Sequence, residues 1–558
     1  MLTYFLTSFD PVKNPLGFGA SDYIELVVAI LLVGFVVAWR PLIEPFGRRL
    51  SVNTRWCLLA LAVLPVALRL ILLVRHPVPT PDIYDEFGHL FVADTLRHFR
   101  LSNPVHPLHQ FFETFFILQQ PTYSSIYPIG QGVVLAIGRA FSGYPWAGVL
   151  LSTSAFAALC YWMLRGWVTP AWALAGGLLA AIEFGPLNLW MNSYWGGTLA
   201  AVAGCLVFGS LPRLIDKPHT RDALLLGAGL AIHLLTRPYE SIFLLISVII
   251  FLLPSAKRIM RTLRAVLCVV IPAIGLTLLQ DKSVTGHWLT LPYQVSQYEY
   301  GVPAALTFQH DPIPHNDLTP QQRLEYRSQM AFRTSDKETL QSYLLRLEYR
   351  VRYYRFFFLA PLFLAIPAFC FAAYRNRRFA WMLLTLLLFA LGTNFFPAFQ
   401  VHYLGAVTCL FVLMSVAGLQ QIGRWSPEAA RWLLFLCVIH FVFWYALHLD
   451  DQHDFALAMM RYETWDSINH GNPERRILIN EKLAEIPGQL LVFVRYSPRH
   501  IFQEEWVYNE AAIDQARVIW ARDLGPAENE KLRAMYPDRQ VLLLEADARP
   551  PQLTSYEP

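Results

Sequence analysis

Residues 56–89 read WCLLALAVLPVALRLILLVRHPVPTPDIYDEFGH. The run from Trp56 to Val74 is apolar except for Arg69 and is long enough to cross about 30 Å of hydrocarbon as a helix. The composition then breaks. Arg75 and His76 are followed by Pro77, Pro79 and Pro81, and then by Asp82, Asp85, Glu86 and His89. A membrane helix that runs straight into a carboxylate-bearing segment is the first element these residues describe, and Leu90–His98 continues it as a helix.

The same apolar signature recurs along the chain. Helices that cross a membrane are expected at 22–39, 56–74, 147–164, 171–187, 197–212, 223–236, 239–254, 265–280, 356–374, 379–396, 401–418 and 432–449. The 558 residues are 55% hydrophobic and 15% charged, where a soluble chain carries about a quarter charged residues. The runs are continuous, not alternating, which disfavours a transmembrane barrel. The net charge of +4 is spread thinly, so no nucleic-acid partner is expected. The seven cysteines all fall in or beside apolar stretches, and no disulfide or zinc framework is suggested. Met1–Ala20 has no basic segment, apolar core and small-residue cleavage site in series, so the first membrane helix is expected to serve as the insertion signal.

Orientation follows from Lys and Arg in the short loops. Five clusters stand out: Arg40, Arg48, Arg49 and Arg55; Arg213, Lys217 and Arg221; Lys257, Arg258, Arg261 and Arg264; Arg375, Arg377 and Arg378; and Arg424 with Arg431. One topology makes all five cytoplasmic. It places 75–146, 188–196, 237–240, 281–355, 394–400 and 450–558 outside, as in a bacterial-type inner membrane. Counting 126–142 as a further span would reverse every later loop, so it is read as a helix on the outer interface. His106–Gln120, with Phe111, Phe112, Phe115 and Phe116 among polar residues, also reads as interfacial. Loop 281–355 is polar and part helical near Gln321–Tyr354.

After Asp450 the composition changes to short β-type runs, Leu490–Val494, Val518–Trp520 and Val541–Leu544, within an acidic tail of net charge about −7. The expected organisation is an added helix with a basic loop in 1–55, a transmembrane domain in 56–449, and a small soluble α/β domain in 450–558. The fold class is thus a polytopic α-helical membrane protein of about 12 spans, with outer interfacial helices and a C-terminal α/β domain.

Several outer residues carry chemistry. Two adjacent carboxylates at the top of a bundle are costly unless solvated, paired or working. Asp85 could take a proton from a hydroxyl or amine, while a solvated first helical turn is the plainer alternative. In the second outer loop, Asn188–Gly197, aromatic faces flanked by amides suit sugars. A belt of Trp and Tyr at the membrane surface explains them equally well. Arg237, in a very short outer turn, offers a planar fork for phosphate oxygens. A closing ion pair with Glu240 is the competing reading. Gln400-Val401-His402-Tyr403 opens a late helix at the same surface. Arg69 and Arg139 sit in apolar stretches as snorkelling or paired cations, and His233 reads as a core histidine.

A membrane helix, an outer loop opening with Asp85-Glu86, a helix, then Tyr127-Pro128 before the helix through Gly138 resembles the GT-C glycosyltransferases. The likeness is to the branch of protein O-mannosyltransferases and aminoarabinose transferases, over roughly residues 55–420. The resemblance implies an enzyme, an inverting transferase of a sugar from a polyprenyl-phosphate donor drawn from the membrane lipid. It assigns Asp85 as catalytic base and Glu86 as its neighbour in metal or acceptor binding, with a divalent cation (Mg2+ or Mn2+) as the implied cofactor. His402 and Tyr403 join Arg237 at the donor phosphate. His89, Asn192, Tyr194, Trp195 and Glu240 fall on the acceptor or sugar side, the acceptor being a glycan, lipid or protein. Two departures stand out. His89 occupies a position where many relatives carry Tyr, and the second loop has no acid, its nearest being Glu183. Two rival classes remain. One is a transporter or flippase, which would carry ionisable groups near the midplane on broken helices. The other is a non-catalytic assembly subunit that keeps the fold.

Overall fold

The computed structural model describes residues 20–331, 338–450, 474–498, 500 and 504–557. Most of the N-terminal reading before Ala20, part of the 321–354 helical reading and the start of the tail at 451–473 lie outside them. All twelve apolar stretches are helical over most of their length. Among the described residues, seven helices are long and apolar enough to cross a membrane: Thr54–Val74, Trp146–Leu164, Gly197–Asp216, Pro238–Met260, Thr262–Thr285, Val401–Trp425 and Pro427–Leu449. The stretch at 356–374 is laid down in pieces, 3-10 turns at Val351–Phe357 and Ala360–Leu364 and an α-helix at Ala365–Arg375. Pro361 and Pro367 lack the N–H that a continuous helix needs there.

Contacts gather all five basic clusters at one end of the bundle. Arg431 pairs with Glu44 at 2.8 Å, Arg165 donates to Thr54 Oγ1 at 2.9 Å, and Arg213 donates to the Trp162 carbonyl at 2.7 Å. Arg378 pairs with Asp216 at 2.9 Å and Arg258 donates to the Asp216 carbonyl at 2.8 Å. The loops that carry Asp85, Asn192, Arg237 and Gln400 are gathered at the other end.

Residues 126–142 form the helix Ile129–Ser142, packed on the helices Tyr84–Arg97, Trp146–Leu164 and Thr220–Thr236. Gly138 and Gly148 bring its backbone against the next helix, and a Cβ on either would overlap the other helix's main chain. The segment His106–Gln120 departs from its interfacial reading. It holds one 3-10 turn, His109–Phe112, and a two-residue strand, and all four phenylalanines are buried. Phe111 and Phe112 share a core with Leu491, Phe493 and Ile519 of the C-terminal sheet. Protein covers these rings.

The three β-type runs of the tail are strands. The sheet order is Val518–Arg522, Leu490–Arg495, Gln540–Glu545, Gln552–Ser555, parallel for the first three and antiparallel for the last. The helix Glu474–Glu485 covers one face through Ile479 and Leu483, and the first loop covers the other. A buried pair, Arg522–Glu505 at 2.5 Å, lies at that contact, where Arg522 Nε also donates to the Glu113 carbonyl at 2.5 Å.

Candidate active site

The helix Tyr84–Arg97 starts without a Ser, Thr, Asp or Asn cap, since Ile83 precedes it. Glu86 does that work from inside. Its Oε2 accepts from the Asp82 and Ile83 amides at 2.9 and 3.4 Å, and its Oε1 accepts from the Tyr194 amide at 2.9 Å. Burial lifts its pKa to about 7 against the pull of those amides. Glu86 therefore ties the first loop to the second.

Asn192 and Tyr194, read from sequence as sugar contacts, are used inside that tie. Asn192 is fully buried. It accepts from Arg69 Nε at 2.7 Å and donates to the Pro186 and Asn188 carbonyls at 2.9 and 2.8 Å. Tyr194 donates its hydroxyl to the Pro79 carbonyl at 2.8 Å. Arg69 completes the clamp by donating to the His76 and Pro77 carbonyls at 3.0 and 2.9 Å, with its guanidinium 4.9 Å above the Trp146 ring. Replacing Arg69 with Leu leaves three buried acceptors without their donor. The expected loss is about 3 kcal/mol of stability, read by chemical denaturation of the detergent-held protein, and unchanged stability would contradict the clamp.

Asp85 points away from the clamp. Its Oδ1 accepts from the Tyr127 hydroxyl. Gly88 makes this approach possible, because a Cβ there would sit 2.6 Å from the Tyr127 ring. Burial pushes the Asp85 carboxyl above its ordinary range, while the Tyr127 hydrogen bond and the Arg237 charge pull it back. His89, one turn on, packs at 4.3 Å from the Tyr127 ring. Burial, and then the Arg237 charge, lower its pKa to about 3, so it is neutral at physiological pH.

Arg237 links these groups. Its guanidinium lies 5.6 Å from the Tyr403 ring centroid. It forms no ion pair among the described residues, and its buried Nε has no hydrogen-bond partner. The closing pair with Glu240, the competing reading, is therefore not made within ion-pair distance, although Glu240 is buried beside it. His402 packs on Trp195 at 5.2 Å and on Tyr403 at 5.0 Å. His89 Nδ1, Trp195 Nε1 and His402 Nδ1 are likewise buried without partners. The structure thus brings together Asp85, His89, Trp195, Arg237, His402 and Tyr403. Glu86, Asn192 and Tyr194 frame the site from behind.

Two residues were missed as site residues. Tyr127 was in view only as half of a Tyr-Pro turn. Glu325, on the helix Pro320–Ala331, accepts from the Tyr84 hydroxyl at 3.1 Å, while its Oε2 is buried without a partner. Burial lifts its pKa to about 6, and Asp85 adds to that rise. No local pattern marks Glu325, because Tyr84 lies 241 residues earlier. The metal implied by the sequence resemblance finds no ready ligand set. Both Glu86 oxygens are on backbone amides, and among the described residues no three His, Cys, Asp or Glu side chains converge as metal ligands.

No protein-family profile and no curated protein matches the sequence. Among solved structures, the chain aligns with ArnT from Cupriavidus metallidurans in the apo state at TM-score 0.48 and 11% identity, over 86% of this chain and 92% of that one. It aligns equally with ArnT bound to undecaprenyl phosphate, at TM-score 0.48 and 12% identity over the same shares. A further neighbour is the Archaeoglobus fulgidus oligosaccharyltransferase AglB in complex with an inhibitory peptide and a dolichol-phosphate. That alignment has TM-score 0.40 and 12% identity, over 81% of this chain and 62% of the other.

Proposed function

We propose that this chain is an inverting glycosyltransferase that moves a sugar from a polyprenyl-phosphate donor to an acceptor on the outer face of a cytoplasmic membrane. The observation that carries the reading is Arg237, whose buried Nε has no hydrogen-bond partner, in one cluster with the half-buried carboxylate Asp85. A buried guanidinium N–H without an acceptor is costly, and an anionic ligand that accepts from it relieves that cost. A phosphate at the head of a membrane lipid fits a guanidinium at the mouth of a helix bundle.

In this reading Asp85 takes the proton of an acceptor hydroxyl or amine. The freed lone pair attacks the anomeric carbon from the side opposite the donor phosphate. The bond from that carbon to the phosphate oxygen breaks, its electron pair stays on the oxygen, and polyprenyl phosphate leaves. Arg237 stabilises the charge that develops there, and His402 and Tyr403 shape the same wall. His89, neutral, offers a hydrogen bond without competing for the phosphate. Glu86, Asn192 and Tyr194 act as positioning residues. No step is routed through a metal.

The reading sets the direction of a pH effect. The base works ionised, so the rate falls as pH drops through a pKa already raised by burial. The Tyr127 hydrogen bond favours the ionised form, so Tyr127→Phe should move the acid limb to higher pH, by about one unit. A limb that stays in place or moves down would separate Tyr127 from the base. The donor site itself is tested by native mass spectrometry of the nanodisc-held protein with undecaprenyl phosphate and with undecaprenol. Retention of the phosphate form alone supports the reading, and equal retention of both counts against it.

A further inference from the structure

The helix Leu340–Arg350 has the polarity of a soluble surface helix turned inside out. Its arginines face the protein and its leucines face away. Arg346 and Arg350 are 7% and 3% exposed, whereas Leu340 and Leu344 are 75% and 51% exposed. A helix lying against a protein in water turns its apolar stripe to the core.

The inward side caps a neighbouring helix. Where Arg377–Thr393 ends, four consecutive carbonyls accept from side chains. The Tyr343 hydroxyl donates to the Leu391 carbonyl at 2.7 Å and the Tyr239 hydroxyl to that of Gly392 at 3.0 Å. Arg350 Nη1 donates to the Thr393 carbonyl and Arg346 Nε to that of Asn394, both at 2.8 Å. The last carbonyls of a helix have no partner within it, and these side chains stand where water would otherwise bond. Arg346 Nη2 also pairs with Glu338 at 2.7 Å and reaches Thr307 Oγ1 at 3.3 Å.

These bonds fix the roll of the helix about its own axis. Arg346 meets Asn394 and Thr307, beyond the end of Arg377–Thr393, while Tyr343 meets Leu391 inside its last turn. The direction from Arg346 to Tyr343 therefore runs down the bundle, toward the membrane. At about 100° per residue, Arg346, Arg350, Tyr343, Leu347, Leu340 and Leu344 follow one another around the helix. The three leucines continue on the membrane side. Glu348, Gln341 and Leu345 come after them, on the side turned away. The surface below faces lipid already. Leu387, one turn before Leu391, is exposed, and the adjoining span Pro238–Met260 exposes Ile242, Leu245, Ile246 and Ile249.

We propose that Leu340–Arg350 lies along the membrane surface on the Asp85 side, with Leu340, Leu344 and Leu347 among the acyl chains of that leaflet. Gln341, Leu345 and Glu348 face water. Interfacial helices bury an apolar face about 5–10 Å into the boundary between headgroups and acyl chains. The seated helix adjoins the wall of the Arg237 site, since Arg350 lies 5.2 Å from the Phe399 ring centroid and Phe399 packs at 6.0 Å from Tyr403. This seating follows from the packing of one helix and is independent of the transfer reading.

The test uses the full-length protein in nanodiscs. Cys268→Ala and Cys370→Ala first remove the two exposed thiols. Single nitroxide labels are then attached through Leu340→Cys, Leu344→Cys, Gln341→Cys or Leu345→Cys, all exposed positions that take a label without disturbing packing. Power-saturation resonance compares access of oxygen, which concentrates among acyl chains, with access of a water-soluble nickel chelate. The oxygen-to-nickel ratio should be severalfold higher at Leu340 and Leu344 than at Gln341 and Leu345. A ratio that is the same at all four positions, or higher at Gln341 and Leu345, overturns the proposal. Protection of Leu340 and Leu344 from both reagents also overturns it, because a protein surface would then cover the stripe. None of these results touches the roles of Asp85 and Arg237.

Discussion

Asp85→Asn is expected to lower turnover by about a thousandfold, the scale of a lost general base, while leaving the fold intact. The amide oxygen can still accept from the Tyr127 hydroxyl, and Gly88 still admits the ring, so local geometry has no reason to change. What is lost is the ability to take a proton. Donor binding should change little, because Arg237 is untouched. The comparison that isolates chemistry from folding is turnover of a lipid-linked sugar by protein matched for thermal stability. A variant that retains turnover would remove Asp85 from the reaction and favour an assembly or transport role.

Arg237→Met carries the second large effect. The parent residue has no carboxylate within ion-pair distance, although its charge favours ionised Asp85, so the substitution breaks no hydrogen-bonded pair. Folding should therefore be largely preserved. Function should suffer, with a loss of about a hundredfold or more in turnover, typical of removing one group that stabilises developing charge, together with weaker retention of undecaprenyl phosphate. Arg237→Lys keeps the charge but not the planar fork, and should recover part of the loss. If Arg237→Met unfolds the protein and Arg237→Lys fully restores both stability and turnover, the residue is structural in a way the present geometry does not support.

The placement of the site was legible because charge and apolarity are read by simple rules. Five basic clusters implied one common side, and the structure joins all five at one end of the bundle, opposite Asp85 and Arg237. Residue roles within the site were less legible. Adjacent acids look alike in sequence, yet Asp85 faces Tyr127 while Glu86 turns to backbone amides. The difference is about 100° of helix rotation. Asn192 and Tyr194 have the chemistry of sugar contacts, but an Asn that satisfies Arg69 and two carbonyls has nothing left to offer. Glu325 arrives from a distant loop, and its partner Tyr84 had no mark of its own. The phenylalanines at 111–116 read as membrane-facing because composition alone does not distinguish lipid from a covering sheet.

The central claim is that a sugar is transferred, not carried across. The direct measurement follows a radiolabelled polyprenyl-phosphate sugar pool incubated with the protein in proteoliposomes, recording release of free polyprenyl phosphate and the leaflet of the remaining donor. The account predicts time-dependent release that is lost in Asp85→Asn and in Arg237→Met. A donor that changes leaflet while its sugar stays attached would contradict it and establish transport instead.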